Sequence, residues 1–233
     1  MSEKTKKFFS TLSLHKKPED NDPIRYELDE SCGNMVNIET RNPVMLFLRN
    51  NVEAGENIEL YLSVISPIKE SGETIEVYNE RTKDARASML LHKQNYEDEI
   101  EEIKKAIGGF NCKFELIEIC GASNRDHHKL MRDIVRNIAD GDIVFMDITF
   151  GFKTVSVLQF LALTYAYKIR RGVEIGAMSY GSLHGNATNK PTIYNLTEFF
   201  LFNNTMNNLT DLPHPEQLID RILNNLIEED EGQ

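Results

Sequence analysis

The chain has 233 residues, 40% of them hydrophobic, with 37 acidic against 26 basic side chains and a formal net charge of −11. That length supports one substantial core with room for a small appendage, and the apolar content excludes general disorder. The negative balance excludes a surface built to grip long duplex nucleic acid, which needs a basic footprint to displace counterions, but not a small anion in a focused pocket.

Residues 6–14 (KKFFSTLSL) read as a short buried strand leading to the loop HKKPEDNDP. Two alternating stretches, IRYELD at 24–29 and MVNIET at 35–40, flank Ser31-Cys32-Gly33-Asn34 and predict a hairpin. Asn42-Pro43 opens a helix, PVMLFLRNNV, with the proline suited to its first turn. IELYLSVI at 58–65 is a second strand, and the polar stretch 66–84 is expected to be irregular. From about Ala85, Tyr96, Ile100, Ile103 and Ile107 recur at helical steps until Gly108-Gly109 stops the helix.

CKFELIEIC at 112–120 alternates as a third strand. Ser123 and Asp126 form a capping box, and Leu130, Ile134 and Ile138 share one face of the helix behind it. IVFMDIT at 143–149 is nearly continuously apolar, as a central parallel strand covered on both sides should be. A helix over 154–170 follows, with Val157, Leu158, Leu161, Ala162 and Tyr165 expected to face the core. VEIGAMSY at 173–180 is the fifth strand, and two helical patterns lie around 195–209 and 215–227.

Alternating strands and helices predict an α/β fold: a Rossmann-like open, mostly parallel sheet with helices on both faces, plus a small β-hairpin and a C-terminal helical segment. The expected division is a main domain over 1–195 and a helical extension over 196–233, either part of that domain or a linker toward an effector. Cys32, Cys112 and Cys120 have no pairing or metal-type spacing and read as reduced thiols of a cytoplasmic protein. No apolar run reaches the roughly 18–20 residues that span a bilayer, so no membrane partner is expected.

Ligands of such sheets bind beyond the carboxyl ends of the strands, at the point where strand order reverses. Three strand ends carry unusual residues. After the first strand, Thr11, Ser13, His15 and Lys16 offer hydroxyls and a cation suited to phosphate or ribose, a composition an ordinary polar loop shares. After the fourth, Thr149-Phe150-Gly151-Phe152-Lys153-Thr154 runs from a buried strand through a glycine turn into a helix start, an anion-binding arrangement. Lys153 conflicts there with the positive end of the helix dipole, the kind of local conflict that marks functional sites. After the fifth, Tyr180 could stack on a base while Gly181 and Ser182 leave room for a ligand backbone.

A carboxylate placed like Asp147 more often holds the following turn than acts as a base. No G-x-G-x-x-G follows the first strand and no Walker lysine motif is present. Adjacent His127 and His128 point about 100° apart on a helix and make a poor metal pair, so no metal and no cofactor are expected.

The segment DITFGFKTVSV at 147–157 resembles the strand–turn–helix signature of CRISPR-associated Rossmann fold (CARF) domains of the Csx-type group. KKFFSTLSL is similar to that family's first strand, and MSYGSLHGN with TIYNLTEF to its last strand and the segment after it. The family often has arginine where Lys153 stands. The resemblance implies a homodimeric or higher-order sensor, over 1–195, of cyclic oligoadenylate in type III CRISPR antiviral defence, the ring lying across the two-fold. It implies that Thr11, Ser13, His15 and Lys16 line the outer wall, Thr149 to Thr154 hold phosphates, and Tyr180 to Ser182 meet adenine or ribose. The alternative is a metal-independent ring nuclease that cuts the ligand by ribose 2′-OH attack, with Ser13 and Lys153 as the groups that position and stabilise charge.

Overall fold

The computed structural model describes residues 4–12, 22–67, 69–119, 123–182, 190–209 and 214–222. Strand β1 (Lys6–Thr11) lies inside a seven-stranded sheet with β5 (Asn57–Ile65) and β6 (Asn111–Ile119) on one side. On its other side lie β7 (Ile143–Asp147), β8 (Glu174–Ser182), β9 (Thr192–Asn195) and β3 (Glu27–Leu28), giving the order β3-β9-β8-β7-β1-β5-β6. All neighbours pair in parallel except β8 and β9. The expected Rossmann-like sheet is therefore present, with an antiparallel step near one edge.

The expected hairpin is reduced to two-residue strands, β2 (Ile24–Arg25) pairing antiparallel with β4 (Glu39–Thr40). Glu27 and Leu28 leave it to join the main sheet beside Thr192 and Ile193. The segment between is a 3₁₀ turn, Glu30–Cys32, nucleated by Asp29, whose carboxylate accepts from the Ser31 amide and hydroxyl.

Right-handed crossovers fix the layers. Helices α1 (Pro43–Asn51) and α2 (Ile75–Ile107) cover one face, and α3 (Asn124–Arg136) and α4 (Lys153–Ile169) pack together on the other. On the first face Phe8 stacks on Phe145 at 4.5 Å; on the second Phe9 stacks on Tyr61 at 5.0 Å. The Phe145 ring fits because β8 bulges at Gly176, where a Cβ would lie 2.3 Å from Phe145 Cζ. On the second face Lys7 is buried; it donates to the Asn137 carbonyl at 2.7 Å and pairs with Glu59 at 3.2 Å and Asp142 at 3.1 Å.

Two expectations are corrected. Helix α2 starts ten residues before Ala85, inside the stretch expected to be irregular, because the Thr74 hydroxyl accepts from the Val77 amide and caps it. Its early turns are polar around most of their circumference, so they carry no apolar period. In α4 the buried face is Val155, Gln159, Ala162, Leu163 and Ala166, while Val157, Leu161 and Tyr165 are about half exposed. The Ser123–Asp126 capping box forms as expected.

Contacts divide the chain into Met1–Leu196 and Thr197–Gln233. The second unit holds α5 (Thr197–Leu209) and a short helix over 215–222. Among the described residues no helix is long and apolar enough to cross a membrane.

Candidate functional site

The sheet grows from β1 through β5 to β6, and the chain then crosses back to β7 on the other side of β1, so the carboxyl ends of β1 and β7 flank the reversal point of the sheet. Thr11 ends β1, Asp147 ends β7, and β8 runs alongside to Ser182. Ser13, His15 and Lys16 lie outside the described residues; the other named residues fall at these three strand ends.

Asp147 is fully buried and ties the three ends together. Its carboxylate accepts from the Ser10 hydroxyl of β1 at 2.8 Å, the Ser179 hydroxyl of β8 at 3.2 Å, and both hydroxyl and amide of Thr149. It holds the turn that follows it. Burial pushes its pKa up, against the lowering effect of those hydrogen bonds. Their own burial, and after it the nearby Asp147, raise the phenols of Tyr26 and Tyr96 on the α1–α2 side. Ser10 is the residue that the sequence alone did not single out, and Ser179, named there only as part of the Ser179-Tyr180-Gly181-Ser182 strand end, turns inward to Asp147; the available signal was a hydroxyl at the end of each otherwise apolar strand.

The Thr149 hydroxyl also accepts from the Gly181 amide at 2.7 Å. A Cβ on Gly181 would stand 3.0 Å from Thr149 Cγ2 and 3.2 Å from Pro43 Cγ, so the absence of a side chain lets the β8 end close onto the β7 loop. Gly151 does the same toward β1. Its φ is +100°, and a Cβ would lie 2.8 Å from Thr11 Cγ2.

Beyond Gly151 the chain enters α4 with Phe152 as N-cap and no side-chain cap. The Val155 and Ser156 amides bond the Phe152 carbonyl, leaving those of Lys153 and Thr154 without an intrahelical acceptor. Lys153 and Thr154 are exposed, and Lys153 makes no ion pair among the described residues. Thr11 is 1% exposed, and its hydroxyl has no hydrogen-bond partner. Free amides at a helix start and a cation without an ion pair thus sit at the reversal point, donors suited to a phosphate oxygen, with the buried, unsatisfied Thr11 hydroxyl behind Gly151.

The remaining named residues divide. Phe150 is buried and belongs to the packing, whereas Phe152 is 54% exposed. Tyr180 pairs with Tyr194 across β8 and β9, ring centroids 6.4 Å apart. Sheet alternation puts Tyr180 on the same face as Met178 and opposite Ser179, so it points to the α4 side and away from Asp147. Helix α4 exposes Val157, Leu161, Tyr165 and Ile169, an apolar row at steps of four.

Away from these strand ends a concavity of about 300 Å³ is lined by Cys32, Asn34, Met35, Phe47 and neighbouring asparagines. The Cys32 thiol there donates to the Ile193 carbonyl, and burial raises its pKa, the opposite of an activated nucleophile. Cys112 is likewise pushed up, to about 11, by burial. Among the described residues no three His, Cys, Asp or Glu side chains gather to hold a metal. No protein-family model matches the chain, and no curated protein matches it.

Proposed function

We propose that the chain is a cytoplasmic sensor that binds cyclic oligoadenylate across the two-fold of a homodimer, in the manner the CARF resemblance implies. The observation that carries the reading is the uncapped start of α4 beside Lys153 and the unsatisfied Thr11 hydroxyl, all at the reversal point of the sheet. Phosphate oxygens are the ligand groups that accept best from such donors. The exposed row Val157, Leu161, Tyr165 and Ile169 supports the dimer: a second copy would cover it, and a two-fold there would bring two α4 starts toward one ring.

Titration calorimetry with cyclic tetra- and hexa-adenylate tests the reading, with the incubated ligand checked by chromatography. Binding with intact ligand is expected, weakened by Lys153→Ala by about 1.5–3 kcal/mol, the worth of a hydrogen bond to a charged group. Linear products would mean that the same site also cuts the ring. No binding of either ring would end the proposal.

A further inference from the structure

Helix α3 carries a feature that the strand-end site does not use. Leu130, Ile134 and Val135 face the sheet, while Arg125, Lys129, Arg132 and Arg136 are exposed. At 100° per residue these four fall within about 60° of one another, a straight row roughly 16 Å long. Arg125, Asp126, His128, Lys129 and Arg132 line an open recess of about 690 Å³. Asp126 is spent on the Ser123 cap, and Arg132 bonds Asp133. Arg125, Lys129 and Arg136 have no ion pair among the described residues.

This row weakens the helix that bears it. Arg125/Lys129, Lys129/Arg132 and Arg132/Arg136 are like-charge neighbours at i,i+4 and i,i+3, and Arg125 sits in the first turn against the helix dipole. An acidic chain that gathers four cations into one line, with only Arg132 ion-paired among the described residues, presents a surface complementary to negative charge.

We propose that the solvent face of α3 docks an acidic helix of a partner protein, whose carboxylates at the same i, i+4, i+7 spacing meet Arg125, Lys129 and Arg132. Two observations favour a protein over nucleic acid. Helix α3 contains no Phe, Tyr or Trp on which a base could stack, the usual companion of a single-strand track. It also ends after three turns on a chain of net charge −11, which repels any longer polyanion.

The test uses the full chain and a fluorescein-labelled helical peptide with glutamates at i, i+4, i+7 and i+11. Binding is followed by fluorescence anisotropy between about 0.01 and 1 M salt, where the screening length falls from ~30 to ~3 Å. The expected result is binding at low salt that weakens as salt rises and falls about tenfold in Lys129→Glu. Lys105→Glu, the same charge change at an exposed position of α2, should leave it unchanged. Lys129→Glu places opposite charges beside Arg125 and Arg132, so it folds at least as well as the parent. Failure of the peptide to bind, equal losses in both variants, or tighter binding of a single-stranded oligonucleotide of equal charge would each overturn the proposal.

Discussion

Replacing Asp147 tests whether the three strand ends are held by a charge or by a neutral hydrogen-bonding hub. In Asp147→Ala the hydroxyls of Ser10, Thr149 and Ser179 and the Thr149 amide lose their shared acceptor inside a fully buried site. Buried unpaired groups cost about 1–3 kcal/mol each, but hydroxyls can turn toward other acceptors, so a total of about 3–5 kcal/mol is expected. For a chain of this size that lowers Tm by roughly 6–20 °C. Asp147→Asn keeps the oxygen that accepts three of the four bonds and puts an amide opposite Ser10, whose hydroxyl can reverse and accept.

The raised pKa of Asp147 sets the pH dependence. A carboxyl whose folded pKa is raised stabilises the fold fully below its ordinary pKa, and that stability is lost as pH rises toward the folded value. Urea unfolding across that window should show the parent losing ground to Asp147→Asn as pH rises, with the two within about 1 kcal/mol near neutrality. If Asp147→Asn is as damaged as Asp147→Ala at neutral pH, the hub requires an ionised carboxylate and the reasoning fails.

Gln159 is fully buried in α4 with neither amide atom bonded, so Gln159→Leu should stabilise the chain by about 1–2 kcal/mol in urea unfolding. Gly151→Ala combines a φ of +100° with a 2.8 Å clash against Thr11, and should cost about 1–3 kcal/mol and weaken cyclic oligoadenylate binding as the β7 loop lifts. Lys7→Met strands Glu59 and Asp142 and should cost about 3–5 kcal/mol by thermal unfolding. Burial raises the Glu59 pKa, but hydrogen bonds from Tyr61 and Lys7 outweigh it and leave the pKa lowered. Its contribution is present above its ordinary pKa and lost as pH falls through the folded value, so the penalty of Lys7→Met should shrink in acid.

Where one physical signal dominated, the sequence was readable. The apolar run of β7, the alternation of β6, the proline start of α1 and the capping box of α3 each named their element. Reading failed where two solutions share one pattern. Helix α4 is apolar on most sides, so periodicity could not decide between the row at Val157 and the face that holds Gln159; the crossover onto the sheet decides it. Ile24 to Leu28 alternates like a hairpin arm, but its partner for Glu27 and Leu28 is β9, a pairing no local rule reveals. At the site, DITFGFK marked the turn and helix start, whereas the roles of Ser10 and Ser179 depend on strand order.

That β3–β9 pairing has a consequence for the nascent chain. Lys190 closes onto Glu27 at 2.6 Å across 163 positions of sequence. At about 5–20 residues added per second, the segment around Tyr26 waits roughly 8–33 s before its sheet neighbour is synthesised. Tyr26, 2% exposed in the finished fold, stays uncovered on that side meanwhile. Pairing across so long a separation is intrinsically slow, so this edge should close last and reopen first.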